Sequence, residues 1–584
     1  MTNVIQNLTE EIKEVISKSL IKAYNEGELP QVEVPEIIIE IPREEEHGEF
    51  STNIAMQITK QVKKAPRQTA EIIIKNMELQ DTYIEKVECA GPGFINFYLN
   101  VKWLYDTIKV IQAERENYGK INIGNGQKVM VEFVSANPTG PLHMGNARGG
   151  ALGDCIANVL KAAGYDVTKE FYINDAGNQI EKFGKSLEAR YLQLLLGEDA
   201  VVFPEDGYQG EDIADHMRDY IALNGDKLLK VEQVERQKIL VEYALPINLE
   251  RIRTALKNYG IEFDVWFSEK SLYDSGELQE TLDFIKEKGY AVEKEGAIWF
   301  KATEFGIEKD EVIVRNNGLP TYFASDIAYH RNKFLKRKFD RVINLLGADH
   351  HGHVARMKAA VSAMGIDANK LDVVLFQLVR LFKNGEAYRM SKRTGRAVSL
   401  NDLIEELGKD GLRSDEEAIV YGKDAARFFF NMKASGSHLD FDMSLAVEKS
   451  NENPVFYAQY AHARICSIIT GAKEQDGVEL PDIGSVDLAL LNTKEELALI
   501  KALAQFPEEI RIAANTLEPS RLTRYVLEVA GYLHGFYQAC RIRKQEESIM
   551  KARLLLIDCT RIVIRNVLSI LSISAPEKME KQED

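Results

Sequence analysis

The chain of 584 residues holds only five cysteines, three tryptophans and 15 prolines. The cysteines (Cys89, Cys155, Cys466, Cys540, Cys559) are scattered, with no CxxC and no Cys/His pairing at zinc-ligand spacing. Reduced core thiols are therefore expected, rather than a disulfide frame or a protein-bound zinc. No apolar run approaches ~18 residues, and the first eleven residues lack the basic start and apolar stretch of a signal peptide, so the reading is cytoplasmic, with no membrane partner. Positive charge is also in deficit: Lys plus Arg total 73 against 90 Asp plus Glu, a formal charge of −17. Such a field repels polyanions at long range, which excludes an indiscriminate nucleic-acid coat or a membrane-surface protein. It leaves room for a local basic surface that reads one nucleic acid. No short-period repeat or low-complexity tract stands out, apart from the charged tail after Pro576.

What is present, 45% hydrophobic and 28% charged residues, describes a globular chain long enough for about three to four domains. Residues 1–110 open with a helical pattern (Ile5, Leu8, Ile12, Val15, Ile16, Leu20), pass through the β-branched run Val32 to Ile41, and end in a Gly/Pro turn feeding the alternating strand Phe94 to Leu99, a compact α+β unit. Residues 111–400 then alternate strands and helices, beginning with the buried strand Lys128 to Val134. A connecting region, 401–455, leads into 456–584, and from Asp402 onward the pattern is nearly continuous helix, with amphipathic stretches at 455–470, 494–516, 519–543 and 549–571.

Two motifs carry chemistry. Ser135-Ala-Asn-Pro-Thr-Gly-Pro-Leu-His143-Met-Gly-Asn-Ala-Arg148 follows the strand and opens onto a good helix. Pro138, Gly140 and Pro141 shape a turn at the carboxyl end of a strand, where open α/β sheets bind ligands. Helix-start amides favour phosphate, Gly145 admits a flat base close to the backbone, and His143 can donate to phosphoryl oxygens as charge develops. Alone, this is equally a structural strand-to-helix turn. About 250 residues on, Lys383-Asn-Gly-Glu-Ala-Tyr-Arg389-Met390-Ser391-Lys392-Arg393-Thr-Gly395 crowds cations between two glycines. Alone it is a solvated charge run; with the first motif, it describes a cationic loop over a triphosphate.

Together they resemble class I aminoacyl-tRNA synthetases: His143-Met-Gly-Asn146 is similar to the first class signature and Arg389-Met-Ser-Lys-Arg393 to the second. The extended Ser135 to His143 stretch resembles the arginyl-tRNA synthetase form, and similarity runs nearly end to end, through His47-Gly-Glu-Phe, Asn174-Asp-Ala-Gly-Asn178, Gly347-Ala-Asp-His-His351, Tyr460-Ala-His-Ala-Arg464 and Ser574-Ala-Pro-Glu-Lys-Met579. Two departures stand out. Asn146 occupies the place of a second histidine, and Arg389 and Arg393 flank a retained Lys392.

The resemblance implies a multidomain α/β protein: a class I Rossmann-type parallel-sheet catalytic domain with insertions, an N-terminal α+β domain and a C-terminal α-helical bundle. It implies a monomer that uses ATP with Mg²⁺, L-arginine and the cognate tRNA for arginine, and that needs bound tRNA before activating the amino acid. His143, Asn146 and Lys392 would be catalytic. Pro138, Gly140, His143, Gly145, Asn146, Met390, Ser391 and Lys392 would hold ATP, and Glu132, Asn137, Glu269, Tyr322, Asp326 and His350 would hold arginine. A cysteinyl-type relative shares the nucleotide signatures but needs zinc-binding cysteines. A guanidinium substrate does call for facing carboxylates, because bidentate pairing separates it from lysine. Tyr322 and Asp326, four apart, share a face if Tyr322 begins a helix. His350, His351 and His353 lack a further acid or histidine at metal-binding spacing, so no metal site is expected there.

The acidic balance must be reversed locally for RNA. Arg541 to Arg565 holds seven basic against three acidic residues, and Arg331, Lys333, Lys336, Arg337, Lys338 and Arg341 form a second cluster, either a phosphate-binding face or a solvated helix face. By the resemblance, Phe94 and Asn96 would meet the outer corner of the tRNA, and Tyr460, Tyr537 and Met579 would shape an anticodon pocket. Tyr537 is equally a core aromatic.

Overall fold

A computed structural model describes residues 3–388, 399–409 and 414–580. Its first helix, Val4–Asn25, is capped by the Asn3 side chain, which accepts from the Gln6 N–H, and buries the predicted stripe from Ile5 to Leu20. An antiparallel sheet follows, with Phe94–Leu99 between Phe50–Thr52 and Ile84–Ala90. The run Val32 to Ile41 is no strand: only Glu40 bridges to Ser51, and Val34, Ile38 and Ile41 stay exposed. Pro35 inside the run and Pro42 just after it have no N–H to give a ladder, which works against regular pairing here.

The central sheet is parallel throughout, in the order Leu371–Phe376, Arg341–Gly347, Lys128–Glu132, Asp166–Ile173, Val265–Ser268. The strand order reverses between Lys128–Glu132 and Arg341–Gly347, so a crevice opens beyond their carboxyl ends. Two insertions enlarge this body. Helices Asn178–Leu196, Glu211–Asn224 and Gln233–Asn258 separate its second and third strands, and a small antiparallel sheet (Ala291–Lys294, Ala297–Phe300, Glu311–Val314) separates the third and fourth.

From residue 400 the chain is mostly helical, with Asp415–Asn431, Pro454–Asp476, Ser520–Ala539 and Glu547–Ile570 the longest helices. The expected stretch 494–516 is two helices, Lys494–Ala504 and Phe506–Thr516. Pro507 in the first turn of the second explains the break, because its ring and missing N–H cannot continue a helix. A short strand, Leu439–Asp442, also interrupts the helical run by pairing with Val379–Lys383. The C-terminal helices dock back on the start of the chain: Gln112 Nε2 donates to Asp558 Oδ2 at 2.9 Å and Tyr118 Oη to the Leu503 carbonyl at 3.0 Å.

Candidate active site

The first sequence motif lies at the sheet's switch point. Past Glu132 the backbone turns through Val134 (φ 67°) and Ser135 (φ 39°), left-handed conformations that cost a β-branched residue most and that concentrate at functional sites. Ser135 Oγ secures the turn by donating to Glu132 Oε1 at 3.1 Å and accepting from the Tyr172 N–H at 3.2 Å. The helix Met144–Ala162 begins just after His143. It lies close on its neighbours: a Cβ on Gly153 would fall 2.3 Å from the Phe133 ring and one on Gly149 2.7 Å from the Phe376 ring.

A cleft of about 830 Å³ opens here. Of the ATP candidates, Gly140, His143, Gly145 and Asn146 line it, whereas Pro138 lies buried behind. The His143 ring passes close to Gly145, where a Cβ would stand 3.3 Å from Nδ1. Asn146 Oδ1 accepts the His143 N–H at 3.2 Å, so its amide nitrogen is the end turned to a ligand. Arg389, Met390, Ser391, Lys392 and Arg393 lie outside the described residues. The chain that follows them docks on the first motif: Ser399 bridges to His143, and Leu400 N donates to the Leu142 carbonyl at 2.8 Å.

Carboxylates gather on the other side. Thr321 caps the helix Tyr322–Arg331, so Tyr322 does begin a helix and Asp326 stands one turn on. Glu132, Asn137, Asp326 and His350 line the cleft. Asp326 Oδ2 lies 3.1 Å from His353 Nε2, while His350 faces Asp349 at 3.6 Å and is largely exposed. Glu269 sits deeper, 1% exposed, with Oε2 lacking any partner. Burial pushes its carboxyl up to about 7; Asp326 and Asp175 push the same way, and the Ser325 hydroxyl opposes them. Tyr322 is about half exposed, and its hydroxyl would lie 3.4 Å from a Cβ on Gly177. A buried acid with an empty oxygen, beside a second acid on the cleft wall, suits a cation with several donors.

Most cations of the cluster Arg331 to Arg341 are engaged in ion pairs within the protein. The helix ends in a π-helical turn, Asn332–Lys336, which shifts the register by a residue and turns part of the run inward. Lys333 is 0% exposed and reaches Glu132 Oε2 at 2.6 Å and Asn344 Oδ1 at 3.2 Å. Arg337 pairs with the buried Glu170, which also accepts from Tyr329 Oη. Lys336 meets Glu277, Arg341 meets Asp372 and Arg331 meets Glu280. Asn344 Nδ2 further bonds His330 Nε2 at 2.8 Å, and His330 Nδ1 bonds the Asp326 carbonyl at 2.8 Å; burial and Lys333 hold that imidazole neutral, well below its usual range. Asn344 and His330 carry no signal in the sequence reading, and Lys333 enters it only as one cation of the cluster Arg331 to Arg341. The spacing of Lys333 eleven residues after Tyr322 was the signal available.

Tyr460 and Tyr537 line one small cavity of about 100 Å³ in the helical domain with Arg464 and His534. Tyr460 stacks on Phe456 (centroids 5.6 Å, 10° apart), and the Arg464 guanidinium lies 4.8 Å above the Tyr537 ring. The Tyr537 hydroxyl is buried without a partner. Met579 is half-buried near the end of the described chain and does not line that cavity. In the N-terminal sheet, Asn96 is 3% exposed and lines a shallow pocket with Arg67 and Tyr98, while Phe94 is half-buried on the same strand face.

A parallel sheet in this order, with the His143 turn at its switch point and the chain after the second signature docked on it, defines a class I aminoacyl-tRNA synthetase catalytic body. Residues 107–423 match the family described as tRNA synthetases class I (R), catalytic domain, residues 10–99 the arginyl tRNA synthetase N terminal domain, and residues 458–579 the DALR anticodon binding domain. An arginine–tRNA ligase of Acetivibrio thermocellus is 69% identical over 579 residues, 99% of this chain and 100% of its own, and one of Caldanaerobacter subterraneus is 56% identical over 579 residues with the same coverage. The fold is also that of Thermus thermophilus arginyl-tRNA synthetase, with a TM-score of 0.74 at 22% identity over 98% of this chain and 100% of that one. The chain belongs to the arginyl-tRNA synthetase family.

Proposed function

We propose that the chain activates L-arginine with ATP, giving arginyl-adenylate and pyrophosphate, and transfers the arginyl group to the 3′-terminal ribose of its cognate tRNA. The arginine carboxylate attacks the α-phosphorus, pyrophosphate leaves, and a ribose hydroxyl then attacks the activated carbonyl and releases AMP. No side-chain nucleophile is needed; the protein positions reactants and stabilises developing charge. His143, Asn146 and Lys392 carry that stabilisation, and the ATP turn is completed by Pro138, Gly140, Gly145, Met390 and Ser391. Mg²⁺ arrives with the triphosphate as part of the substrate. Glu269 and Asp326 face the guanidinium with Tyr322 beside it, Glu132 and Asn137 hold the amino-acid backbone end, and His350 closes the wall.

The observation that carries this reading is the partnerless Oε2 of buried Glu269 close to Asp326, whose side chain lines the same cleft as the His143 turn. We assign residues 1–110 with Phe94 and Asn96 to the tRNA corner, 111–400 to catalysis, 401–455 to connection, and 456–584 with Tyr460, Tyr537 and Met579 to the anticodon. The described lining of the cleft comes from one chain, which supports a monomer, and the work of translation supports the cytoplasm. The test is tRNA charging with each of the twenty amino acids in turn. Arginine alone should be joined to tRNA; charging with another amino acid and not arginine would overturn the assignment.

A further inference from the structure

The turn Pro138-Thr-Gly-Pro141 is poorly equipped to hold itself. Two of its four residues are prolines, which have no N–H, so the turn has few donors with which to satisfy its own carbonyls. The missing donor comes from the helical insertion. Asn248, 2% exposed on the helix Gln233–Asn258, donates from Nδ2 to the Pro138 carbonyl at 3.1 Å. Its Oδ1 lies 2.7 Å from Nε2 of His216, which is 0% exposed on the helix Glu211–Asn224.

The chemistry of this chain fixes every proton. If the amide were reversed, Oδ1 would face the Pro138 carbonyl oxygen, acceptor against acceptor, so Nδ2 must point to the turn. Oδ1 can then only accept, and His216 must carry its hydrogen on Nε2. Nδ1 of His216 is buried without a partner, as suits the bare nitrogen of a neutral ring. Burial lowers the histidine's proton affinity, and the Arg251 cation adds to that, against Asn248, Asp212 and Asp219. One helical turn before His216, Asp212 reaches the cleft itself, 3.5 Å from where a Cβ on Gly140 would stand. The insertion thus touches the turn twice, from behind through Asn248 and at its open side through Asp212.

We infer that Asn248 and His216 are positioning residues for ATP, holding the Pro138–Pro141 turn in register with His143, and that the helical insertion is a working part of the nucleotide site. The inference rests on the proposed ATP role of that turn. It predicts a selective effect: Asn248→Ala and His216→Ala should raise the KM for ATP about tenfold, the scale expected when a reactant is misplaced by a fraction of an ångström, with the KM for arginine and the affinity for tRNA within twofold of the parent. His216→Gln, whose amide can still donate to Asn248, should restore ATP use. Asn248→Asp should not, since a carboxylate cannot donate to the Pro138 carbonyl.

The test is pyrophosphate exchange on the full chain with tRNA present, alongside calorimetric titration of Mg²⁺-ATP and thermal melting of each variant. A lower melting temperature with both KM values unchanged, or both raised alike, would assign the pair to scaffolding and overturn the inference, as would failure of His216→Gln to restore ATP use. If the parent chain bound no Mg²⁺-ATP, the functional reading itself would fail; if it bound ATP and the variants bound it equally well, only this inference would.

Discussion

Lys333 Nζ stands 2.6 Å from Glu132 Oε2, and the two side chains are 0% and 10% exposed. The pair ties the last residue of the first central strand to the π-helical turn after Tyr322–Arg331, and so joins the two walls of the cleft. Breaking one half of such a pair leaves a buried charge uncompensated, at a cost of about 3–5 kcal/mol. Lys333→Ala should therefore lower the folding free energy by that order, measured by urea unfolding. The double variant Glu132→Gln with Lys333→Met should recover most of the stability without arginine-dependent exchange. Recovery of both would show that the pair serves packing alone.

Glu269 yields a pH dependence with a definite sign. Its folded carboxyl, at about 7, lies above the usual 4.5, so the folded protein holds a proton that the unfolded chain has lost between those values. Its stabilising contribution is full below pH 4.5 and disappears as pH rises through 7. A guanidinium needs the ionised form, so binding arginine should release a proton near neutrality. The KM for arginine should fall severalfold from pH 6 to pH 8, and Glu269→Gln should raise the KM and flatten the profile. Titration calorimetry in buffers of different ionisation enthalpy counts the proton; no release at pH 7 would remove Glu269 from the pocket.

Asp326 shares its carboxylate with His353 at 3.1 Å while lining the cleft. As the proposed second guanidinium partner it should matter for one substrate only. Asp326→Ala is expected to raise the KM for arginine about 100-fold, the order of a lost charged hydrogen-bond pair, with the KM for ATP nearly constant. An unchanged dependence on arginine would exclude it.

The residues that act through backbone pattern and local order were legible in the sequence. The Ser135 to His143 turn sits at a strand end, Tyr322 opens a helix with Asp326 one turn on, and the switch-point cleft follows from the strand–helix alternation. What escaped was set by tertiary contact. Lys333 and Arg337 read as surface cations because nothing local announces a π-helical turn that buries them, and the carboxylates that neutralise them come from strands over 160 residues away. Asn248 and His216 lie over 70 residues beyond the turn they hold, on helices whose patterns show only amphipathic faces. The run Val32 to Ile41 failed the other way: its propensity favours a strand, and two prolines withdraw it.

A substitution at Lys392 tests whether chemistry and tRNA binding separate. If it stabilises the departing pyrophosphate, Lys392→Ala should slow adenylate formation by about two to three orders of magnitude, the range for losing a transition-state charge partner, while tRNA affinity by filter binding stays within twofold. Exchange in the parent chain should also require tRNA, as the family resemblance implies. Equal loss of exchange and tRNA affinity in the variant would make the lysine structural.

The formal charge of −17 bears on how the tRNA is held, because most cations of the two basic clusters are already engaged. Five cations between Arg331 and Arg341 pair with Glu280, Glu132, Glu277, Glu170 and Asp372. Between Arg541 and Arg565, Arg543, Lys551, Arg553 and Arg561 meet Asp476, Glu547, Glu496 and Asp558. A cation committed to a carboxylate releases few counterions from RNA. The affinity must come from shape, stacking and hydrogen bonds at places such as the Tyr460–Tyr537 cavity rather than from diffuse attraction. The logarithm of the tRNA binding constant should therefore fall with the logarithm of salt at a slope no steeper than about −4, against the −0.7 to −0.9 per neutralised phosphate of a polybasic binder making six to ten contacts. A slope near −8 would mean that the internal ion pairs open to meet the phosphates, and the salt titration alone would show it.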